Sequence, residues 1–161
     1  MPVLAAIALG SNLGDRTAHL DAGVLGVSSL ADTRTLSLSE YVETEPVGPE
    51  GQGAYLNAAM VIETALEPRP LLDAMLEIER ANGRDRDQEE RWGPRTLDLD
   101  LLLFSDRVID EPGLTIPHPR LHERVFVLGP LAQIAPGLLV PGRGTVRALL
   151  DALRAERNPA G

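Results

Sequence analysis

The chain of 161 residues is long enough to bury one compact hydrophobic core, and we expect a single domain over residues 1–161. Its formal net charge of −9 argues against a protein that binds nucleic acid or anionic membranes, because both need a positive field. The absence of cysteine excludes disulfides, iron–sulfur clusters and thiolate zinc sites. No segment approaches the roughly 18–20 continuous apolar residues that span a bilayer, and no basic region precedes the apolar N-terminus, so we expect a cytoplasmic protein.

The periodicity of the apolar residues predicts an alternation of strands and helices. In chain order it indicates a strand over 3–9, a helix over 16–30, strands over 33–44 and 54–65, a helix over 71–83 and a strand from Thr96. Asp15 is a possible cap of the first helix, and Gly83 ends the second. After the last strand, short helices are expected over 125–135 and 145–157.

This order of elements, β, α, β, β, α, β and a tail, predicts an α+β protein with the ferredoxin-like, split βαβ arrangement. We expect an antiparallel sheet with helices packed on one face, plus a C-terminal extension. A doubly wound parallel sheet is disfavoured, because the second and third strands follow each other without an intervening helix.

The segment RWGPRTLDLDLLLF, residues 91–104, places two acids inside the most apolar stretch of the chain. Residues two apart in a strand point the same way, so Asp98 and Asp100 share one face. The opposite face is expected to carry Leu97, Leu99, Leu101 and Leu103. Because unpaired buried carboxylates are costly, the pair suggests one or two hard cations such as Mg²⁺, with waters and substrate phosphates completing the shell. The alternatives are a solvated strand edge or pairing with arginine.

The loop that precedes this strand, residues 84–95, is rich in guanidinium groups, which suit phosphate oxygens. Its arginines are Arg84, Arg86, Arg91 and Arg95. The alternative is a solvated loop whose own acids, among them Asp87, balance these charges. Trp92 either stacks on a base or fills a gap. Neither of the common glycine-rich phosphate motifs is present, so a triphosphate must be held mainly by metal and arginines.

Two histidines lie close together in and after the turn IPHP. His118 and His122 have an H-x-x-x-H spacing, but a zinc site is disfavoured because no third ligand is evident. His118 either donates to a phosphate or ribose or is an ordinary turn histidine.

Four stretches that occur in this order carry a family resemblance. They are ALGSNLGDR, TEPVGPEGQGAYLNAA, RWGPRTLDLDLLLF and IPHPRLHERVFVLGPLAQIAP. Through them the chain resembles the 6-hydroxymethyl-7,8-dihydropterin pyrophosphokinases of folate biosynthesis over nearly its whole length, which implies one pyrophosphokinase domain. The resemblance implies transfer of pyrophosphate from Mg–ATP to the hydroxymethyl group of the pterin, giving AMP, with Asp98 and Asp100 ligating two Mg²⁺ ions. ATP and the pterin are thus the expected partners, and we expect a monomer that binds neither nucleic acid nor membrane.

The same resemblance implies roles for individual residues. Arg84 and Arg95 match arginines that act on the phosphates near the transition state. The other positions implied around ATP are Glu79, Arg86, Arg91, Trp92, Leu101, Thr115, His118 and Arg124. The positions implied around the pterin are Thr44, Val47, Tyr55, Asn57 and Phe126, with the ring between Tyr55 and Phe126. The sequence departs from the family pattern at Asp87, Leu76 and Pro119. These departures are expected to change the affinity for ATP, but they do not alter the aspartate pair.

Two other classes of function are compatible with the residues. A Mg-dependent phosphohydrolase would also use D-x-D and arginines, and it would turn over ATP without a pterin acceptor. A non-catalytic ligand-binding module on the same scaffold would bind nucleotide without turnover.

Overall fold

The computed structural model describes residues 1–44, 54–83 and 96–157. Its main strands are β1 Val3–Ser11, β2 Thr33–Leu38, β3 Val42–Thr44, β4 Tyr55–Thr64 and β5 Asp98–Phe104. Its helices are α1 Arg16–Ser28, α2 Pro68–Ala81, α3 Val125–Ile134 and α4 Val146–Arg157. Two small hairpins were not predicted. They are β6 Ile109–Glu111 with β7 Leu114–Ile116, and β8 Leu139–Val140 with β9 Gly144–Thr145. A short 3₁₀ helix, Leu121–Glu123, was not predicted either.

The main sheet has the strand order β2-β4-β1-β5, with β3 also paired to β4. Every pair in it is antiparallel, and α1 and α2 connect strands that are not neighbours. This topology confirms the predicted ferredoxin-like α+β fold. Within the described residues, no helix has the length and apolar character needed to cross a membrane.

Helices cover both faces of the sheet, which corrects the expectation of helices on one face. On the first face, α1 and α2 contribute buried apolar side chains, Leu20, Val27, Leu71 and Met75. On the second face, α3 and α4 contribute Leu128, Leu131, Val146 and Leu150. The reason lies in β1 and β4, whose middle residues are buried without alternation, and a sheet that is apolar on both sides must be covered on both sides. The C-terminal extension is therefore a structural layer of the domain.

A bulge in β5 changes which leucines share a face. Ile7 of β1 pairs with Leu101, whereas Ala6 pairs with Leu103, so that Leu102 is an extra residue. Leu101 consequently packs on the α1–α2 side, while Leu102 and Leu103 both pack on the α3–α4 side. The prediction that Leu103 shares the face of Leu101 is wrong, because an inserted residue reverses the alternation that follows it.

The strand predicted over 33–44 is interrupted after Leu38. Ser39 donates its backbone N–H to Ala59 O at 2.9 Å, and its hydroxyl accepts from Ala59 N at 2.8 Å. A side-chain oxygen thus replaces a ladder carbonyl, and the chain leaves β2 before it rejoins the sheet as β3.

Candidate active site

The candidate site lies at the end of the sheet where β4, β1 and β5 run side by side. Asn57 is opposite Gly10, and Gly10 is opposite Asp98, so these residues form one row across the strands. In the next row that projects to the same face, Ala8 is opposite Asp100. Directly opposed residues of antiparallel strands project to the same face, so the amide and both carboxylates lie on the α3–α4 side. Register therefore brings the predicted metal ligands beside a predicted pterin contact.

Gly10 leaves room between the side chains of this row. The sequence placed it in a turn, but β1 continues through Gly10 and Ser11. A Cβ added at Gly10 would lie 3.2 Å from Asn57 Oδ1 and 3.5 Å from Tyr55 Cδ1. The sequence motifs did not identify Gly10 as a site residue. A glycine inside a strand often marks such a close approach, and this was the available signal.

The amide of Asn57 has a defined orientation. Its Nδ2 donates to Thr44 Oγ1 at 2.5 Å, and its Oδ1 faces the position of a Gly10 Cβ. Asn57 is buried, and Thr44 is the cross-strand partner of Tyr55. The hydrogen bond to Thr44 thus holds the amide in place, and an amide offers both a donor and an acceptor to a ligand with complementary groups.

The outer edge of β5, which carries both aspartates, is held by residues from other elements. Glu79 of α2 is only 2% exposed, and its Oε2 accepts from Leu99 N at 2.8 Å. His118 donates its backbone N–H to Leu102 O at 2.9 Å. The carboxylate of Glu79, predicted to lie near the nucleotide, therefore contacts the backbone between the two aspartates.

His118 places a neutral imidazole beside the aspartates. Its Nδ1 accepts from Arg120 N at 3.1 Å, and its Nε2 lies 4.0 Å from Asp100 Oδ1. Burial lowers its pKa from 6.5 to about 4, the charges of Arg124 and Arg120 act in the same direction, and Asp98 opposes the shift. Since Nδ1 is an acceptor, the proton of the neutral ring is on Nε2, where it can be donated toward a ligand.

The other sequence-predicted residues occupy different parts of this region. The Arg124 guanidinium lies 5.6 Å from the centre of the Phe126 ring at the start of α3, and Phe126 packs on the same side of the sheet as Asn57. Thr115 is exposed on β7. Leu101 is 5% exposed and packs on the opposite face from the aspartates, so its side chain is not brought together with them.

The model of the 7,8-dihydro-6-hydroxymethylpterin-pyrophosphokinase (HPPK) family matches residues 6–136. The chain belongs to the HPPK family. A 2-amino-4-hydroxy-6-hydroxymethyldihydropteridine pyrophosphokinase from Haemophilus influenzae is 42% identical over 148 residues, covering 92% of this chain and 91% of that protein. The protein of the same name from Bacillus subtilis is 48% identical over 131 residues, covering 81% of this chain and 77% of that one.

Solved HPPK-DHPS structures are similar to this HPPK-family chain in fold. A crystal structure in complex with substrates has a TM-score of 0.78 at 12% identity, covering 99% of this chain and 45% of that one. The Plasmodium falciparum wild-type protein with pteroate has a TM-score of 0.76 at 13% identity and covers 99% and 44%. The chain thus spans less than half the length of these proteins, with which it shares the fold.

The residues of this HPPK-family site suit magnesium better than zinc. The described ranges contain no group of three or more side chains of the metal-binding types, so His118 and His122 have no third protein ligand there. Asp98 and Asp100 are half-buried and offer hard carboxylate oxygens on one face. Mg²⁺ commonly takes one or two carboxylates and completes its shell with waters and phosphates, and the aspartate pair fits that pattern.

Several predicted positions fall outside the residues that the structure describes. They are Val47, Arg84, Arg86, Asp87, Arg91, Trp92 and Arg95. The other two departures from the family pattern are described: Leu76 is half-buried on α2, and Pro119 is exposed next to His118.

Proposed function

We propose that the protein transfers pyrophosphate from Mg–ATP to the hydroxymethyl group of 6-hydroxymethyl-7,8-dihydropterin, giving AMP and the pterin diphosphate for folate biosynthesis. The observation that carries the proposal is the row formed by Asn57, Gly10 and Asp98. It puts an oriented amide, suited to a heterocycle edge, beside a carboxylate suited to a metal–phosphate group. Membership of the HPPK family supports the same assignment.

The pterin is assigned to the side of Gly10 where Asn57 and Tyr55 lie. The amide of Asn57, oriented by Thr44, pairs with the donor and acceptor atoms of the ring edge. Tyr55 and Phe126 supply flat faces for the ring, since both belong to the α3–α4 side of the sheet. Val47 is proposed as a further pterin contact on the basis of the family resemblance alone.

The triphosphate is assigned to the side of Gly10 where Asp98 and Asp100 lie. These carboxylates would hold two Mg²⁺ ions, which, when bound, neutralise charge on the phosphate oxygens. His118 donates from Nε2, and its low pKa keeps this group neutral near pH 7. Arg84 and Arg95 are proposed to contact the phosphates as the reaction proceeds.

The remaining nucleotide contacts are assigned by the family resemblance to Arg86, Arg91, Trp92, Leu101, Thr115 and Arg124. Glu79 is assigned differently, because its Oε2 accepts a hydrogen bond from the strand that carries the aspartates. Its role near the nucleotide is proposed to include support of that strand.

In the proposed reaction, the hydroxymethyl oxygen attacks the β-phosphorus of ATP in line with the leaving oxygen. The new O–P bond forms, the bond between the β-phosphorus and the oxygen that bridges to the α-phosphorus breaks, and that oxygen leaves with AMP. The hydroxyl proton is released. The side chains contribute mainly by positioning the two substrates and stabilising charge.

Incubation with Mg–ATP and the hydroxymethyl dihydropterin tests this function, with the nucleotide products separated by chromatography. We expect AMP and pterin diphosphate in equal amounts, and no rapid turnover without the acceptor. Release of ADP or phosphate without pterin would indicate a phosphohydrolase. Nucleotide binding without turnover would indicate a binding module.

Asp98→Asn and Asp100→Asn test the aspartate pair, and Asp73→Asn at an exposed position of α2 is the matched control. Each change at the pair should lower kcat by at least about 100-fold, because metal-ion stabilisation of charge contributes several kcal/mol. Circular dichroism should show all three variants folded. A variant of the pair that unfolds would indicate a structural role instead.

We also propose that the protein acts in the cytoplasm as a monomer. The cysteine-free, acidic composition is compatible with that compartment. Light scattering coupled to size-exclusion chromatography should give the mass of one chain, 17.3 kDa. A mass of twice that value would contradict the proposed monomer.

A further inference from the structure

Arg16, the first residue of α1, contacts strand β3 and the residue that immediately precedes β4, the two strands that enter the candidate site. Its Nη1 lies 2.6 Å from Glu43 Oε1 and donates to Ala54 O at 2.8 Å. Glu43 directly precedes Thr44, and Ala54 directly precedes Tyr55. Thr44 and Tyr55 are themselves cross-strand partners. One guanidinium nitrogen therefore joins the residue before each of two predicted pterin contacts.

The position of Arg16 is not explained by the needs of its own helix. A positive charge in the first turn is unfavourable to the helix dipole, which favours acids there, and α1 has no acid in that turn. Asp15 already caps the helix by accepting from Ala18 N at 3.1 Å. The Arg16 side chain is nevertheless 32% exposed, which means that most of it is withdrawn from solvent toward Glu43 and Ala54. Its contacts serve the neighbouring strands rather than the helix.

Arg16 acts from the side of the sheet opposite to the substrates. Side chains alternate along a strand, so Glu43 points away from the face on which Thr44 bonds to Asn57. The Arg16–Glu43 pair thus lies on the α1 side, where it does not touch a ligand bound over Gly10. Any effect on the substrate must pass through the backbone of β3 and the start of β4.

We propose that Arg16 is a positioning residue for the pterin substrate, acting through Glu43 and Ala54 to hold Thr44 and Tyr55 in place. This inference rests on the proposed function. Thr44 orients the Asn57 amide through a 2.5 Å hydrogen bond, so movement of Thr44 would release the amide from its assigned orientation. Asp98 and Asp100, which are assigned to the phosphates, are not supported by Arg16. They belong to β5, which β1 separates from β4.

The test is a comparison of KM values for the pterin and for ATP in Arg16→Gln and Glu43→Gln. Each variant should raise the pterin KM about five- to tenfold, the size expected for losing a charged hydrogen bond at a partly exposed site. The ATP KM should change less than about twofold. Arg16→Lys, which keeps the charge and a donor, should recover part of the loss. The double variant should resemble Arg16→Gln, because that substitution already removes the contact with Glu43.

Arg34→Gln is the matched control, since Arg34 of β2 forms a 3.3 Å ion pair with Glu63, near the end of β4 that is far from Tyr55. It should leave both KM values unchanged. An unchanged pterin KM in Arg16→Gln and Glu43→Gln, or an equal rise in both KM values, would overturn the inference. If Arg16→Gln does not fold, Glu43→Gln decides by the same criteria. A wild-type protein that makes no AMP would overturn the proposed function and this inference with it.

Discussion

The buried carboxylate of Glu79 accepts a hydrogen bond at 2.8 Å from the backbone N–H of Leu99. Leu99 lies between Asp98 and Asp100 on β5, which is an edge strand of the sheet. An edge strand has backbone groups without a neighbouring strand, and a helix on one face here supplies an acceptor to one of them. The two aspartate carboxylates project from the opposite face of this strand. The strand itself is held by β1 along one edge and by Glu79 at the other.

We expect Glu79→Ala to lower the free energy of unfolding by about 1–3 kcal/mol, the penalty for a buried donor left without its acceptor. The variant should also need more Mg²⁺ for half-maximal activity, because the strand that carries the aspartates is less well held. Glu79→Gln retains an acceptor oxygen and should recover much of both losses. Urea denaturation and a Mg²⁺ titration measure these effects.

Glu77→Ala is the control for this prediction, since Glu77 is exposed on the same helix and forms a surface ion pair with Arg80. It should change stability by less than about 0.5 kcal/mol. Equal behaviour of the two alanine variants would contradict the role given to Glu79.

Gly10→Ala should raise the KM for the pterin with little effect on the KM for ATP. Its Cβ would lie 3.2 Å from Asn57 Oδ1, so the amide must shift slightly away from its present position. Gly129→Ala in α3 is the control, because a Cβ there meets nothing within 4 Å. That substitution should stabilise the helix by about 0.5–1 kcal/mol and leave the kinetics unchanged. A pterin KM unaffected by Gly10→Ala would show that the close approach is unimportant.

The imidazole of His118 should titrate with a pKa of about 4 in the metal-free protein, as measured by NMR. Burial, the first cause of this lowered pKa, disfavours the charged ring in the folded state. Between about pH 6.5 and 4 the unfolded chain then binds a proton that the folded chain does not, so this residue reduces stability as the pH falls through that window. His118→Gln should lose less stability over the same range. A midpoint at or above 6.5 would contradict the prediction.

Asp15→Ala should lower the free energy of unfolding by about 1 kcal/mol, because α1 loses the side-chain acceptor of its Ala18 N–H. Asp15→Asn is the matched control, since asparagine caps helices about as well as aspartate. Thermal unfolding followed by circular dichroism distinguishes the two. A loss in Asp15→Asn as large as that in Asp15→Ala would mean that charge, rather than capping, is what Asp15 contributes.

The sequence by itself determined the order of the main strands and helices and the shared face of Asp98 and Asp100. The structure confirms the ferredoxin-like topology and the capping by Asp15, and it places both aspartates on one side of β5. These features were predictable because they depend on local properties: apolar periodicity, a capping residue and the alternation of a strand. The order β, α, β, β, α, β then leaves few topologies open.

Only the tertiary structure decided which side Leu103 faces, how Gly10 contacts its neighbours and which backbone N–H Glu79 accepts a hydrogen bond from. Leu103 follows a bulge that exists only in the pairing of β5 with β1, and Gly10 gains its importance from Asn57, 47 positions away by the numbering of the sequence. Glu79 lies on the buried face of α2 together with Leu71 and Met75. The periodicity of apolar residues does not predict that a carboxylate is buried there. Each depends on the register and packing of segments distant in the chain, and a local pattern carries no information about them.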